Sequence, residues 1–304
     1  MRVGIVLPVS EDEEHRATRY ADIRQLALTT EQAGLDSLWA ADHLFYQPAG
    51  DPPLGFWESW TLLSALAEAT SRVELGNLVL CVPFRNPGLL AYMANTLEEV
   101  SGGRLVLGLG SGWHEPEFGA FGFDFEHRVG VFEDSLAVLV ALLHGGRVEH
   151  DGRFARGHGE LRPRGPRPGG PPILIASKRP RMHQLAARYA DRWNSAWYGM
   201  PSEPFWERRD GLHAACHDVG RTEDAIEINV GLSVVDEAEI DAGRDGSRLL
   251  VAQPEEIAEG LAAWQAEDVA EVMCRLEPAT PAMIERVVRA AEILRRQPTP
   301  ATAP

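Results

Sequence analysis

Positive charge is scarce in this chain of 304 residues, and lysine is nearly missing: 28 Arg stand beside a single Lys, Lys178, and the formal net charge is -16. So acidic a chain is a poor partner for nucleic acid or an anionic membrane surface. Cysteine is sparse too. Cys81, Cys216 and Cys274 are odd in number, far apart and without a C-x-x-C pair, the usage of a reduced, intracellular protein with no disulfide frame. No run approaches the roughly 18 apolar residues of a membrane span. The opening MRVGIVLPVS passes straight into EDEEH, which reads as a first strand rather than a signal segment. The expected location is cytoplasmic. G-x-S-x-G and the P-loop are both lacking, so neither a serine hydrolase nor a nucleoside triphosphatase of the usual kind is indicated.

What is present is a regular alternation. Short apolar runs at 3–8, 36–41, 73–80, 104–109, 173–176, 191–197, 226–235 and 271–276 read as strands, and each is followed by a stretch of helical periodicity. Asn86-Pro87 supplies an N-cap and a first-turn proline, and Gly102-Gly103 stops the helix they open. Eight strand–helix units imply an α/β fold, a single (β/α)8 TIM barrel, over residues 1–296. The tail 297–304, QPTPATAP, is expected to be disordered. Residues 145–172 are crowded with Gly, Pro and Arg and include a small hairpin around Asp151-Gly152. They form an αβ connection, which the barrel rule places on the face opposite the chemistry.

Chemistry in a barrel sits where strands end, and this rule selects the candidates. The block Ser101 to Phe123, SGGRLVLGLGSGWHEPEFGAFGF, carries Gly108, Gly110 and Gly112 after an apolar strand. The spacing fails a dinucleotide fingerprint, because Trp113 occupies the third glycine position. These glycines allow either close approach of backbone to a ligand or tight packing at the rim. His114-Glu115 begins like a zinc motif, but Phe118 replaces the second His, and no metal is expected. Glu115 and Glu117 read as first-turn acids that suit the helix dipole. His43, after Asp42 at the end of strand two, either contacts a ligand and moves a proton or merely caps the strand. Ser177-Lys178-Arg179 before Pro180 opens a helix where a phosphate could sit, or is a solvated cluster. Trp113 and Trp197 are candidates for walling a flat ring.

EQAGLDSLWAADHLF at 31–45, VELGNLVLCVPFRNPGLLA at 73–91, LEEVSGGRLVLGLGSGWHEPEFGAFG at 97–122, PPILIAS at 171–177 and LAARYADRWN at 185–194 occur in one order. Together they resemble the bacterial luciferase-like superfamily of flavin- and deazaflavin-dependent oxidoreductases. The resemblance implies coenzyme F420 or FMN at the C-terminal mouth, with a lean to F420, and a small organic substrate that is reduced, oxidised or oxygenated. It implies a ring contact or catalytic role for His43 and Asp42, and a backstop with a non-prolyl cis peptide at Leu78-Val79. Gly110, Ser111 and Gly112 would pass beside the cofactor side chain, with Trp113 near it, and Ser177 and Lys178 would hold its phosphate. Arg85, Lys178 and Arg179 are the basic residues available to an anionic tail. A homodimer is also implied. Loops 44–56, 113–127 and 236–253 would set the substrate, the last as a mobile lid. Two other classes remain open at this point: a non-catalytic flavin-binding protein on the same scaffold, and an unrelated barrel hydrolase with a metal at its mouth.

Overall fold

The computed structural model describes residues 1–48, 50–240 and 245–296. The expectations for the tail at 297–304 and for part of the 236–253 loop fall outside them. Numbering only the barrel strands, β1 is Arg2–Val6, β2 Ser37–Ala40, β3 Glu74–Asn77, β4 Leu105–Gly110, β5 Ile173–Ala176, β6 Arg192–Tyr198, β7 Glu227–Val235 and β8 Glu271–Glu277. All neighbours pair in parallel, and β8 returns to β1 through Arg2↔Glu271, so the sheet closes on itself as a TIM barrel. The helices are α1 Tyr20–Gln32, α2 Ser59–Ala69, α3 Pro87–Val100, α4 Glu115–Phe121, α5 Arg128–Val140, α6 Pro180–Tyr189, α7 Glu203–Asp218, α8 Pro254–Ala266 and α9 Pro281–Arg296. Among the described residues no helix is long and apolar enough to cross a membrane.

The strands read as near-continuous apolar runs because both of their faces are covered. Outward side chains such as Ile5, Leu38, Leu75, Leu107, Ile175 and Val230 are buried against the helices. Inside the barrel, Val6, Trp39, Val106, Leu174 and Met273 form a separate buried cluster, with Leu78, Val79 and Trp197 resting on it from above. Trp39 needs the space that two neighbouring glycines leave. A Cβ on Gly76 would stand 2.4 Å from its Cζ3, and one on Gly4 3.0 Å from its Nε1. The indole nitrogen donates to Ser37 Oγ at 2.8 Å, and Asn229 Nδ2 donates to Glu271 Oε2 at 2.8 Å. Arg192 meets Glu74 through two hydrogen bonds and lies 3.5 Å from Glu271. The buried Glu271 carboxylate in this floor is therefore met by hydrogen-bond donors and by a cation, as burial requires.

Two expected elements differ. Strand three is read as 73–80, yet β3 stops at Asn77, Leu80–Cys81 pairs separately with β4, and the Leu78-Val79 peptide between them is cis. A second non-prolyl cis peptide, Ala196-Trp197, lies in β6 beside a register shift. The hairpin, Arg147–Asp151 with Arg156–Glu160, does leave the lower end of α5. Its tip then climbs the outside of that helix, where Phe154 covers Gly130 and meets His127 at 5.3 Å between rings.

Gly108 is the tightest of the rim glycines, because a Cβ there would come within 1.9 Å of the Asn77 carbonyl oxygen. Backbone cannot yield as a side-chain tip does. Gly108→Ala is expected to lower stability by about 3 kcal/mol, the upper end of overpacking costs, in equilibrium denaturant unfolding. A change within about 0.5 kcal/mol, the range of inert surface substitutions, would contradict this packing account.

Candidate active site

At the C-terminal mouth the loops after β2 and β4 are joined by one carboxylate. Pro116 in the first turn of α4 sets the helix direction, and Glu117 on that turn points inward, 1% exposed. Its Oε2 lies 2.9 Å from His43 Nδ1, while Oε1 accepts from the backbone N–H groups of Leu44 at 2.5 Å and Phe45 at 3.3 Å. An ionised carboxylate only accepts, so Nδ1 carries the proton and Nε2 is left to hold or exchange one. Around His43 stand Phe56 at 5.2 Å, Trp113 at 5.7 Å and His114 at 6.4 Å between ring centroids. Tyr46 packs on Trp113 at 5.8 Å. Trp113 is 61% exposed, a large apolar face left open at the rim.

Glu117 does stand in the first turn of α4 as expected, but it is buried and turned to the 43–45 segment. Asp42, beside His43 in sequence, is engaged within the protein. Its carboxylate accepts from Ser59 Oγ at 2.6 Å, Cys81 N–H at 2.8 Å and both Arg85 terminal nitrogens at 2.7 and 2.9 Å. Four donors fill its lone-pair sites, so no acceptor capacity remains for a ring. Arg85 is engaged by Asp42 and by Glu58 at 2.9 Å, which removes it from the cations available to an anionic tail. The effect is structural: Asp42 ties the end of β2 to Leu80–Cys81 beyond the cis peptide. Leu78 and Val79 remain half-buried above the barrel cluster, an apolar shelf where the resemblance implies a backstop.

The glycines of the β4 loop serve this shelf by packing. A Cβ on Gly110 would meet Val79 Cγ2 at 2.6 Å. Gly112, at φ 78°, would meet Phe118 and Cys81 Sγ at 2.5 and 2.7 Å. Between them Ser111 is half-buried at the rim. Of the two readings of these glycines, tight packing is the one observed.

Ser177 is 3% exposed and lies inside the wall. Its Oγ is 2.7 Å from His183 Nδ1 and accepts from Trp193 Nε1 at 2.7 Å, while its N–H donates to Asn194 O at 3.3 Å. Both polar groups of Ser177 are thus turned to partners within the wall. Lys178 next to it points elsewhere. Partial desolvation, then Arg208 and Arg248, pull it below the usual lysine value. Arg208 donates to Tyr198 Oη at 2.6 Å, and Arg248 to the Trp197 carbonyl at 3.2 Å. Those acceptors are neutral, and three cations from the β5 end, α7 and the segment after β7 gather here, with the Asp245 carboxylate near enough to Arg248 to feel its charge. The expected lid at 236–253 is packed where it is described: Leu250–Val251 pairs with β7, and Leu249 backbone lies against Gly199. Trp197 itself covers Gly231, with the Arg275 guanidinium 4.9 Å above its ring.

Strand order places these pieces in sequence around the rim: His43 after β2, Leu78-Val79 after β3, Ser111 and Trp113 after β4, Lys178 after β5 and Trp197 in β6. Sequence reasoning selected that arc but missed Glu117, Arg208 and Arg248. The spacing His114 to Glu117 was the usable signal, since residues three apart share one helical face.

A family model described as luciferase-like monooxygenase matches residues 1–242. Over 234 residues the chain is 26% identical to the 5,10-methylenetetrahydromethanopterin reductase of Archaeoglobus fulgidus, covering 77% of this chain and 66% of that protein. Over 241 residues it is 30% identical to the F420-dependent glucose-6-phosphate dehydrogenase of Rhodococcus erythropolis, covering 73% and 68%. The chain thus spans about two-thirds of the length of these curated relatives. In fold it is similar to an F420-dependent secondary alcohol dehydrogenase solved with an F420-acetone adduct, with a TM-score of 0.81 at 15% identity over 97% of this chain and 99% of that one.

Burial, then the charge of Arg208, hold His183 down at about 4 from an ordinary 6.5. The unfolded chain therefore binds a proton at His183 between those values while the fold does not, and stability rises with pH across that window. His183→Gln is expected to flatten the melting temperature between about pH 4 and 6.5 relative to the parent. Parallel curves for the two proteins would contradict it.

Proposed function

The chain belongs to the luciferase-like monooxygenase family, and on that footing we propose that it is an oxidoreductase acting on a small organic substrate with coenzyme F420. The same site serves reduced FMN in a second reading, which the family's monooxygenase description favours. The observation that carries the proposal is the His43–Glu117 pair, set among aromatic rings on one side of an apolar shelf, with a cation cluster further round the rim.

The residues fit such a group. A flat ring system suits the half-buried Leu78-Val79 shelf and the open face of Trp113. An anionic side chain suits Lys178, Arg208 and Arg248, which lie close enough to depress the lysine. When bound, the deazaflavin or flavin supplies two-electron redox chemistry. The protein's part is positional and protic. Glu117 keeps the proton on His43 Nδ1 and fixes the ring plane, so Nε2 is presented to exchange a proton with the substrate oxygen. Phe56, Tyr46 and Trp113 limit water around that nitrogen. A homodimer and a cytoplasmic location complete the reading; the family resemblance supports the first and the cysteine pattern the second.

His43→Ala is expected to lower kcat by about 10² or more, the usual weight of a general acid–base group, while cofactor affinity stays within about threefold. Steady-state rates and a cofactor titration on the same protein measure both. Equal turnover in the variant and the parent would remove His43 from the mechanism.

A further inference from the structure

The segment that carries His43 is held at a second point, and the group that holds it there can be titrated. Gln47 donates its backbone N–H to Nε2 of His114 at 3.1 Å. A ring nitrogen accepts only when it bears no proton, so this bond exists only with neutral His114, protonated on Nδ1. His114 is the N-cap residue of α4, one helical turn before Glu117, and is 6% exposed. Its ring lies among Tyr46 at 5.1 Å, Trp113 at 5.3 Å, Phe45 at 6.0 Å and His43 at 6.4 Å. The start of α4 therefore grips the 43–47 segment at both ends: Glu117 takes His43, Leu44 and Phe45, and His114 takes Gln47.

We propose that His114 is a positioning residue, neutral in the working enzyme, whose protonation releases Gln47 and loosens the His43-bearing segment, giving the protein an acid-side switch separate from the titration of His43. The mechanism is local. A second proton on His114 turns Nε2 into a donor that faces the Gln47 N–H, so a hydrogen bond becomes a repulsion between donors. Two titratable groups face the imidazole: Glu117, on its own helix, favours the protonated form, and His43, on the opposed segment, disfavours it. The other rings packed on it, from the 45–46 strand and from Trp113, carry no charge. Burial outweighs Glu117 and sets the switch below the ordinary histidine value of 6.5. Stabilisation of the segment is present above that point and is lost as pH falls through it.

The role of the segment in catalysis rests on the function proposed above, but the switch itself can be read without cofactor or substrate. Hydrogen exchange of the peptide spanning residues 44–48, corrected for the intrinsic pH dependence of exchange, is followed from about pH 7.5 to about pH 5, which brackets an imidazole. The parent protein is expected to lose about tenfold in protection across this range. His114→Gln, whose amide oxygen accepts at every pH, is expected to keep it. In turnover, the acid limb of kcat should move to lower pH in His114→Gln, while kcat at neutral pH stays within about threefold. Constant protection in the parent across the range overturns the proposal without any variant, and so does the same pH course in parent and His114→Gln. Loss of activity in His43→Ala together with unchanged exchange would retain the functional reading and discard the switch.

Discussion

A buried carboxylate governs the geometry of the mouth. Glu117 is almost wholly removed from water, and an ion so placed is tolerated only with hydrogen bonds around it. Its three partners all come from the 43–45 segment, so satisfying Glu117 and positioning His43 are one physical event. Asp42 does the same immediately below, where Ser59, Cys81 and Arg85 surround its carboxylate. Two adjacent residues are thus tied to different elements: Asp42 to α2 and the Cys81–Arg85 stretch, His43 to α4. That double attachment turns the end of β2 from a loop into a rigid bracket.

The rest of the mouth follows from how strands β3 and β4 meet. The chain rises over Leu78-Val79, and the glycines at 108, 110 and 112 are the surface against which that rise fits. Gly112 also lets Phe118 and Cys81 close beneath α4, which brings Glu117 within reach of His43. Below, Trp39 fills the space vacated at Gly4 and Gly76 and gives the shelf a solid base. The charge distribution is equally uneven. In a chain of net charge -16, Lys178 has arginines as its charged neighbours, an arrangement that an anionic ligand stabilises.

The fold was legible because barrel strands are buried on both faces and leave unbroken apolar runs, and some helices carry their own cap or stop. Asn86 accepts from Leu89 N–H at 3.1 Å, as its place before Pro87 suggested. The arc of strand ends was legible for the same reason. Side-chain direction was not. An acid in a first turn can face the dipole and solvent or turn inward, and nothing local in Glu117 distinguishes the two. Ser177 looked free because its consumers, His183 and Trp193, come from α6 and β6, contacts that only the closed barrel creates. Arg208 and Arg248 join Lys178 in the same way, from elements far along the chain. Asp42 likewise meets Ser59, Cys81 and Arg85 only once the strands and α2 come together. The position of the cis peptide came from family resemblance; periodicity alone ran strand three straight through it.

The central claim is that this barrel mouth takes a flavin-type cofactor with an anionic side chain. The most direct measurement is an absorbance titration of the purified protein, separately with coenzyme F420 and with FMN, repeated on Lys178→Ala. Saturable perturbation of the coenzyme F420 spectrum, tighter than that of FMN and weakened about tenfold or more by loss of the lysine, is the expected result. No spectral change with either cofactor would contradict the account.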